Sequence, residues 1–224
     1  GPFTGQSLSA NDVVGFMAYA GACITSDKDA STEIAQSQFK AMSVTGGTDT
    51  EVVLAAVDLP KGGVWKICYC TDFDGCNAFA DFTVEAGELT VQGADGIGTY
   101  TCVRYAPTCT FQVDGTLLST DDSVQVIENG DTCASAAQSV HFVAARKQAD
   151  ATGTVAARDF EPGTGSLQGV YRVCYCPNFG GCDADAEFTH QAGVLDVRGP
   201  QGGEDKACTA GLQCTMGPFT GQSL

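Results

Sequence analysis

Short runs in which apolar and polar residues alternate recur along the whole chain, separated by Gly, Asp, Asn and Pro. In the second half they fall at 123–128 (SVQVIE), 139–144 (SVHFVA), 153–157 (GTVAA), 170–176 (VYRVCYC) and 194–198 (VLDVR). The first half answers with 13–19 (VVGFMAY), 40–44 (KAMSV), 51–57 (EVVLAAV), 64–70 (VWKICYC) and 88–92 (ELTVQ). A period of two turns alternate side chains to opposite faces, which is the mark of a strand with one buried side. Helical periodicity is weak, and residues 30–42 stay open as a short helix. Many short strands between turn signals predict an all-β chain of immunoglobulin-like β-sandwich topology.

The strands come in two sets because the chain repeats itself. Cys23, Cys68, Cys70, Cys76, Cys102 and Cys109 are followed by Cys133, Cys174, Cys176, Cys182, Cys208 and Cys214, at offsets of 110, 106, 106, 106, 106 and 105. Between 64–93 and 170–199, 16 of 30 positions are identical. Such self-similarity identifies a duplicated module of about 106 residues.

A second repeat has a longer period. Residues 1–8 and 217–224 both read GPFTGQSL, 216 positions apart. Three explanations compete: a tandem polymer of a 216-residue period, a short chain that swaps a duplicated terminal strand, or an artefact of where the chain is cut. The tandem polymer is preferred, and it makes this chain one period of a longer protein, cut out of phase with the fold. Glycine-rich stretches at 93–98 (GADGIG) and 199–205 (GPQGGED) are the expected linkers. Residues 1–93 are then one module whose opening segment comes from the preceding period, 99–198 a second, and 206–224 the opening segment of the next repeat.

Alternation also places the sulfur. Trp65, Ile67 and Tyr69 share one face of their strand and Lys66, Cys68 and Cys70 the other; Tyr171, Val173 and Tyr175 oppose Arg172, Cys174 and Cys176 in the same way. Lys66 and Arg172 belong in water, so the aromatic face is the expected core and the cysteines lie on the outer face. Spacing does not fix the pairing of six cysteines per module. The preferred set is Cys102–Cys109, Cys176–Cys182 and a long-range Cys133–Cys174, each contributing about 2–4 kcal/mol through the unfolded chain.

Composition narrows the setting. Twelve cysteines in 224 residues fit an oxidising compartment, and 43% hydrophobic residues exclude disorder. The net charge is −16 and evenly spread, 5 − 13 = −8 over residues 1–112 and 6 − 14 = −8 over 113–224. That balance speaks against nucleic acid and anionic membrane as partners. The longest nearly apolar run, 13–23, is too short to cross a bilayer, so no membrane insertion is expected in this segment.

Recognised chemistry is sparse. The CYC-x5-C frame lacks the paired knuckles of a zinc site. Asp183, Asp185 and Glu187 alternate as calcium ligands would, yet the matching stretch 77–81 has lost two of the three carboxylates; Asp12 and Asp122 do correspond. His141 and His190 occupy non-equivalent positions, and no nucleophile elbow, phosphate loop or dinucleotide fingerprint is present. No catalytic, cofactor-binding or metal-binding residue is assigned, and no enzyme activity or cofactor is expected. Asn11, Asn77, Asn129 and Asn178 all fail the N-glycosylation rule.

At G-x-[WY]-[KR]-[IV]-C-Y-C (63–70 and 169–176) and G-x-L-x-V-x-G (87–93 and 193–199), the chain resembles the late strands of immunoglobulin-like repeats of the filamin and IPT type. The added cysteines resemble those of cysteine-rich tandem repeats in very large surface or secreted proteins of unicellular eukaryotes. Filamins lack this cysteine density, so an actin-linked cytoplasmic role does not follow. The resemblance implies an extracellular fibre, appendage or coat made of two tandem immunoglobulin-like modules per period, each with three disulfides. Neighbouring copies of the chain would be the partners, head to tail, with Phe3, Leu8, Phe219 and Leu224 of the two octets at the contact. The alternative is a cell-surface adhesin whose loops bind a glycan, a protein or calcium.

Overall fold

The computed structural model describes residues 3–4, 12–18, 23, 40–41, 51–52, 59, 61–71, 76, 81–178, 181–200, 207–210, 212–213, 218 and 220–222. Leu8, Cys214, Phe219, Leu224 and most of 30–42 lie outside these. The described residues are all β, with no α-helix and with a 3-10 turn at Asp185–Glu187. The chain divides into two compact units, Gly1–Val91 and Gln92–Leu224.

In the first unit, β1 (Phe3–Thr4), β2 (Val13–Ala18), β3 (Lys40–Ala41), β4 (Glu51–Val52), β5 (Gly63–Cys70) and β6 (Val84–Val91) follow in order. They form a sheet ordered β3-β2-β5-β6 and a separate β1-β4 pair. Alternation in β5 buries Trp65 and Ile67 against Val14, Phe16, Leu59 and Phe82, while Lys66 reaches Glu85 at 3.1 Å.

The second unit contains β7 (Gly93–Ala94), β8 (Gly98–Val103), β9 (Phe111–Thr116), β10 (Ser123–Glu128), β11 (Arg146–Gln148), β12 (Gly153–Thr154), β13 (Ala157–Phe160), β14 (Gly169–Cys176), β15 (His190–Pro200) and β16 (Gly221–Gln222). One sheet runs β11-β10-β14-β15, with β8 added in parallel to the far edge of β15 and β16 at its end; the other runs β12-β13-β9-β7. Side chains of both sheets meet in one core: Phe111, Val113 and Phe160 from one, and Val124, Val126, Tyr171, Val173, Tyr175, Leu195 and Val197 from the other. The aromatic face of β14 is therefore the core face, as alternation required.

The duplication reaches the level of register. β5 pairs with β6 and β14 with β15 through the same partners shifted by 106, from Gly63↔Val91 and Gly169↔Val197 to Tyr69↔Val84 and Tyr175↔His190. Both ladders carry a bulge at the same place, Ile67/Cys68 and Val173/Cys174. The unpaired residue of each bulge is on the second strand, Ala86 in β6 and Ala192 in β15, and a bulge bends the strand that carries it.

Three expectations need correction. Residues 139–144 form turns with a single bridge, Phe142↔Gly165, because Ser139 Oγ accepts the amide of His141 and the backbone turns instead of extending. The stretch 153–157 is the end of one strand and the start of the next, joined by a tight turn. Finally, 93–98 is not a linker: Gly93–Ala94 pairs with β9, and Gly98 opens β8.

Candidate functional site

The two octets enter ladders that belong to one kind of strand. In the second unit β9 makes two ladders in succession: Val113↔Arg158 and Asp114↔Ala157 with β13, then Gly115↔Ala94 and Thr116↔Gly93 with β7. The first octet makes the first of these, with Phe3↔Val52 and Thr4↔Glu51 at offsets of 110 and 106 from their counterparts. The last octet makes the second, with Gly221↔Pro200 and Gln222↔Gly199, all at an offset of 106. The glycine at the crossing is needed in both places. A Cβ on Gly115 would strike the carbonyl oxygen of Gly93, and one on Gly221 that of Gly199. Of the four octet residues singled out from sequence, Phe3 is placed in β1; Leu8, Phe219 and Leu224 lie outside the described residues.

Five disulfides are described: Cys23–Cys68, Cys70–Cys76, Cys102–Cys109, Cys133–Cys174 and Cys176–Cys182. Cys208, the counterpart of Cys102, is also bridged, and no described cysteine is free. The long bridges span 45 and 41 residues, so the duplication conserves a strap from the segment after β2 or β10 onto the adjacent strand.

The cysteine face of β14 is opposite the core but is not an outer, wetted face. Cys174 and Cys176 are buried with Ile127 and Phe188 in a second cluster, flanked by Cys133, Ala136 and Cys182. Arg146 closes this layer. Its guanidinium lies 5.0 Å from the Phe188 ring centroid, donates to Gln125 Oε1 at 3.0 and 2.8 Å, and pairs with Asp185. Buried Gln125 in turn donates to the Ala136 carbonyl at 2.9 Å. Neither Arg146 nor Gln125 was singled out from sequence; the signal was a glutamine inside the apolar run SVQVIE.

A tyrosine–aspartate pair recurs in both units, fully buried in the second and with a half-buried tyrosine in the first. Tyr175 Oη donates to Asp122 Oδ2 at 2.6 Å, and the same carboxylate accepts the amides of Ser119 at 2.7 Å and Asn178 at 3.3 Å. Tyr69 makes the equivalent bond to Asp12. Burial, then the hydrogen bond and charge of the carboxylate, raise both phenols well above the ordinary tyrosine range. The correspondence of Asp12 with Asp122 thus serves a structural anchor.

The acidic stretch is engaged within the protein. Asp185 pairs with Arg146, and Glu187 accepts the Ala184 amide at 2.7 Å to cap the 3-10 turn. Among the described residues no group of three or more His, Cys, Asp or Glu is placed to hold a metal ion, and no helix is long and apolar enough to cross a membrane. A cavity of about 460 Å³ lies over β8 and β9, lined by residues including Asp95, Tyr100, Gln112 and Asp114. Comparison with known families, with curated proteins and with solved structures found no match for the chain.

Proposed function

We propose that the chain is one period of an extracellular filament built from disulfide-strapped β-modules joined head to tail. The observation that carries this reading is the division of labour between the octets. A strand that makes two ladders within the second unit is represented twice in the chain, one copy making each ladder. A repeat of 216 residues whose seam falls inside that strand accounts for both halves, and a head-to-tail contact that does not close generates an open fibre.

The modules are read as immunoglobulin-like. The orders β12-β13-β9-β7 and β11-β10-β14-β15-β8, with the first strand switching sheets to run parallel to the last, match that sandwich. The bridges are consistent with an oxidising extracellular setting, and the even acidity keeps such a polymer soluble. Electron microscopy of native material should show a thin fibre with an axial repeat of roughly 60–90 Å, the span of two modules end to end. Discrete monomers would overturn the filament and favour the adhesin, for which the cavity over β8 and β9 is the candidate pocket.

A further inference from the structure

Among the described residues, one edge of the first unit lacks the strand that covers the same edge of the second. β15 is paired by β14 on one side and by β8, in parallel, on the other, with Leu195 opposite Tyr100 and Val197 opposite Cys102. Its counterpart β6 is paired among the described residues by β5 alone. The side chains register the difference. Ala192, Leu195 and Val197 are no more than 1% exposed, whereas Ala86 is exposed and Leu89 and Val91 are half-buried. A Cβ on Gly193 would collide with Tyr100 of β8, while beside Gly87 the same space is empty to 4 Å.

The duplication says what belongs there. β8 shifted by 106 is residues 204–209 (EDKACT). Its described part, Ala207, Cys208 and Thr209, is exposed, although Cys102 at the matching position in β8 is buried. The ladder that precedes β8, β7 with β9, is reproduced at Gly199–Pro200 and Gly221–Gln222. The end of the chain therefore carries the start of a module whose remaining sheet has the form of the first unit.

We propose that residues 204–209 of one copy of this chain add to the open edge of β6 in the next copy as a parallel strand. Glu204 then stands beside Gly87, Lys206 beside Leu89 and Cys208 beside Val91, by transfer of the β8–β15 register. The register also sets Asp205 beside Glu88, so the addition is held by its backbone ladder and by cover over Leu89 and Val91, not by charge. This rests on the head-to-tail reading and adds the strand and register through which successive periods interlock.

Hydrogen exchange on a chain of two periods in series tests it. The peptide 84–92 is identical in both periods, so its deuterium uptake should resolve into two equal populations. The first-period copy should exchange as in the single-period chain, and the second-period copy about 100-fold or more slowly. Lys206→Pro in the first period alone removes a ladder donor, the counterpart of the Tyr100 amide, since donors alternate along β8 and Arg104 N–H donates to the Arg198 carbonyl. It should return the peptide to one fast population, while the β14 peptides keep their protection and show that the modules remain folded. One fast population in the unsubstituted two-period chain, or slow exchange that survives Lys206→Pro, would overturn the proposal. Native monomers in the microscope would overturn the filament while leaving this exchange result standing, so the two failures are separable.

Discussion

β6 and β15 are the same strand written twice, and they live in different surroundings. Both follow G-x-L-x-V-x-G, pair with a CYC strand in the same register and share its bulge. Leu195 and Val197 are fully buried, but Leu89 and Val91 are not. The difference lies in the neighbour: β8 precedes β15 in the same chain, while the corresponding segment lies after β15, at 204–209. Burial is thus a property of what lies beside a strand as well as of the strand's own pattern.

Truncation exposes that contrast most strongly. Leu195→Ala should cost about 2–5 kcal/mol in denaturant unfolding, the range for a leucine removed from a packed core. Leu89→Ala in the single-period chain should cost about 1 kcal/mol or less, because the removed methyl groups are already partly solvated. Equal costs would mean that the two edges are equally covered. Next in size is the strap that both units share. Cys133→Ser with Cys174→Ser opens a 41-residue loop and should lower stability by about 2–4 kcal/mol. No loss in the oxidised protein would show that the cap over the cysteine face holds without its bridge.

The smallest effect is confined to alkaline pH. Burial, then the Asp114 charge, pushes Tyr100 up to about 12; burial, then the Glu128 charge, does the same to Tyr171. Tyr69 and Tyr175 are raised further. The unfolded chain gives up these protons near pH 10, about the ordinary tyrosine value. Their contribution is therefore complete below that pH and is lost as pH climbs through the folded values. Thermal melts should be insensitive to these groups up to about pH 10 and fall steeply from there toward pH 12. A melting temperature that stays level to pH 12 would contradict the burial of the phenols.

Much of this was legible in the sequence. The alternation in VWKICYC and VYRVCYC fixed which side chains face the core, and the cysteine offsets disclosed the duplication. The bridges Cys102–Cys109, Cys133–Cys174 and Cys176–Cys182 coincide with the preferred pairs. Other features depend on contacts distant in sequence. Alternation assigns cysteines to the face away from the core, but not the cap that buries them, since Arg146 arrives from β11 and Phe188 from the turn before β15. The run SVHFVA alternates like a strand, yet the Ser139 hydroxyl bonds its own backbone and a turn results. Glycine-rich 93–98 reads as a linker because glycine often marks loops. Here Gly93 sits in a ladder where its partner strand comes so close that Gly115 cannot carry a side chain.

The most direct test of the account uses Trp65, the single tryptophan of the chain, buried in the first unit. Its fluorescence can be followed through denaturant unfolding in a single-period chain and in two periods joined in series. The account predicts one transition for the single period and two for the pair, the second at higher denaturant because only the second tryptophan lies in a module completed by the preceding period. Superimposable single transitions would mean that the first unit gains nothing from its neighbour, and the head-to-tail account would fail.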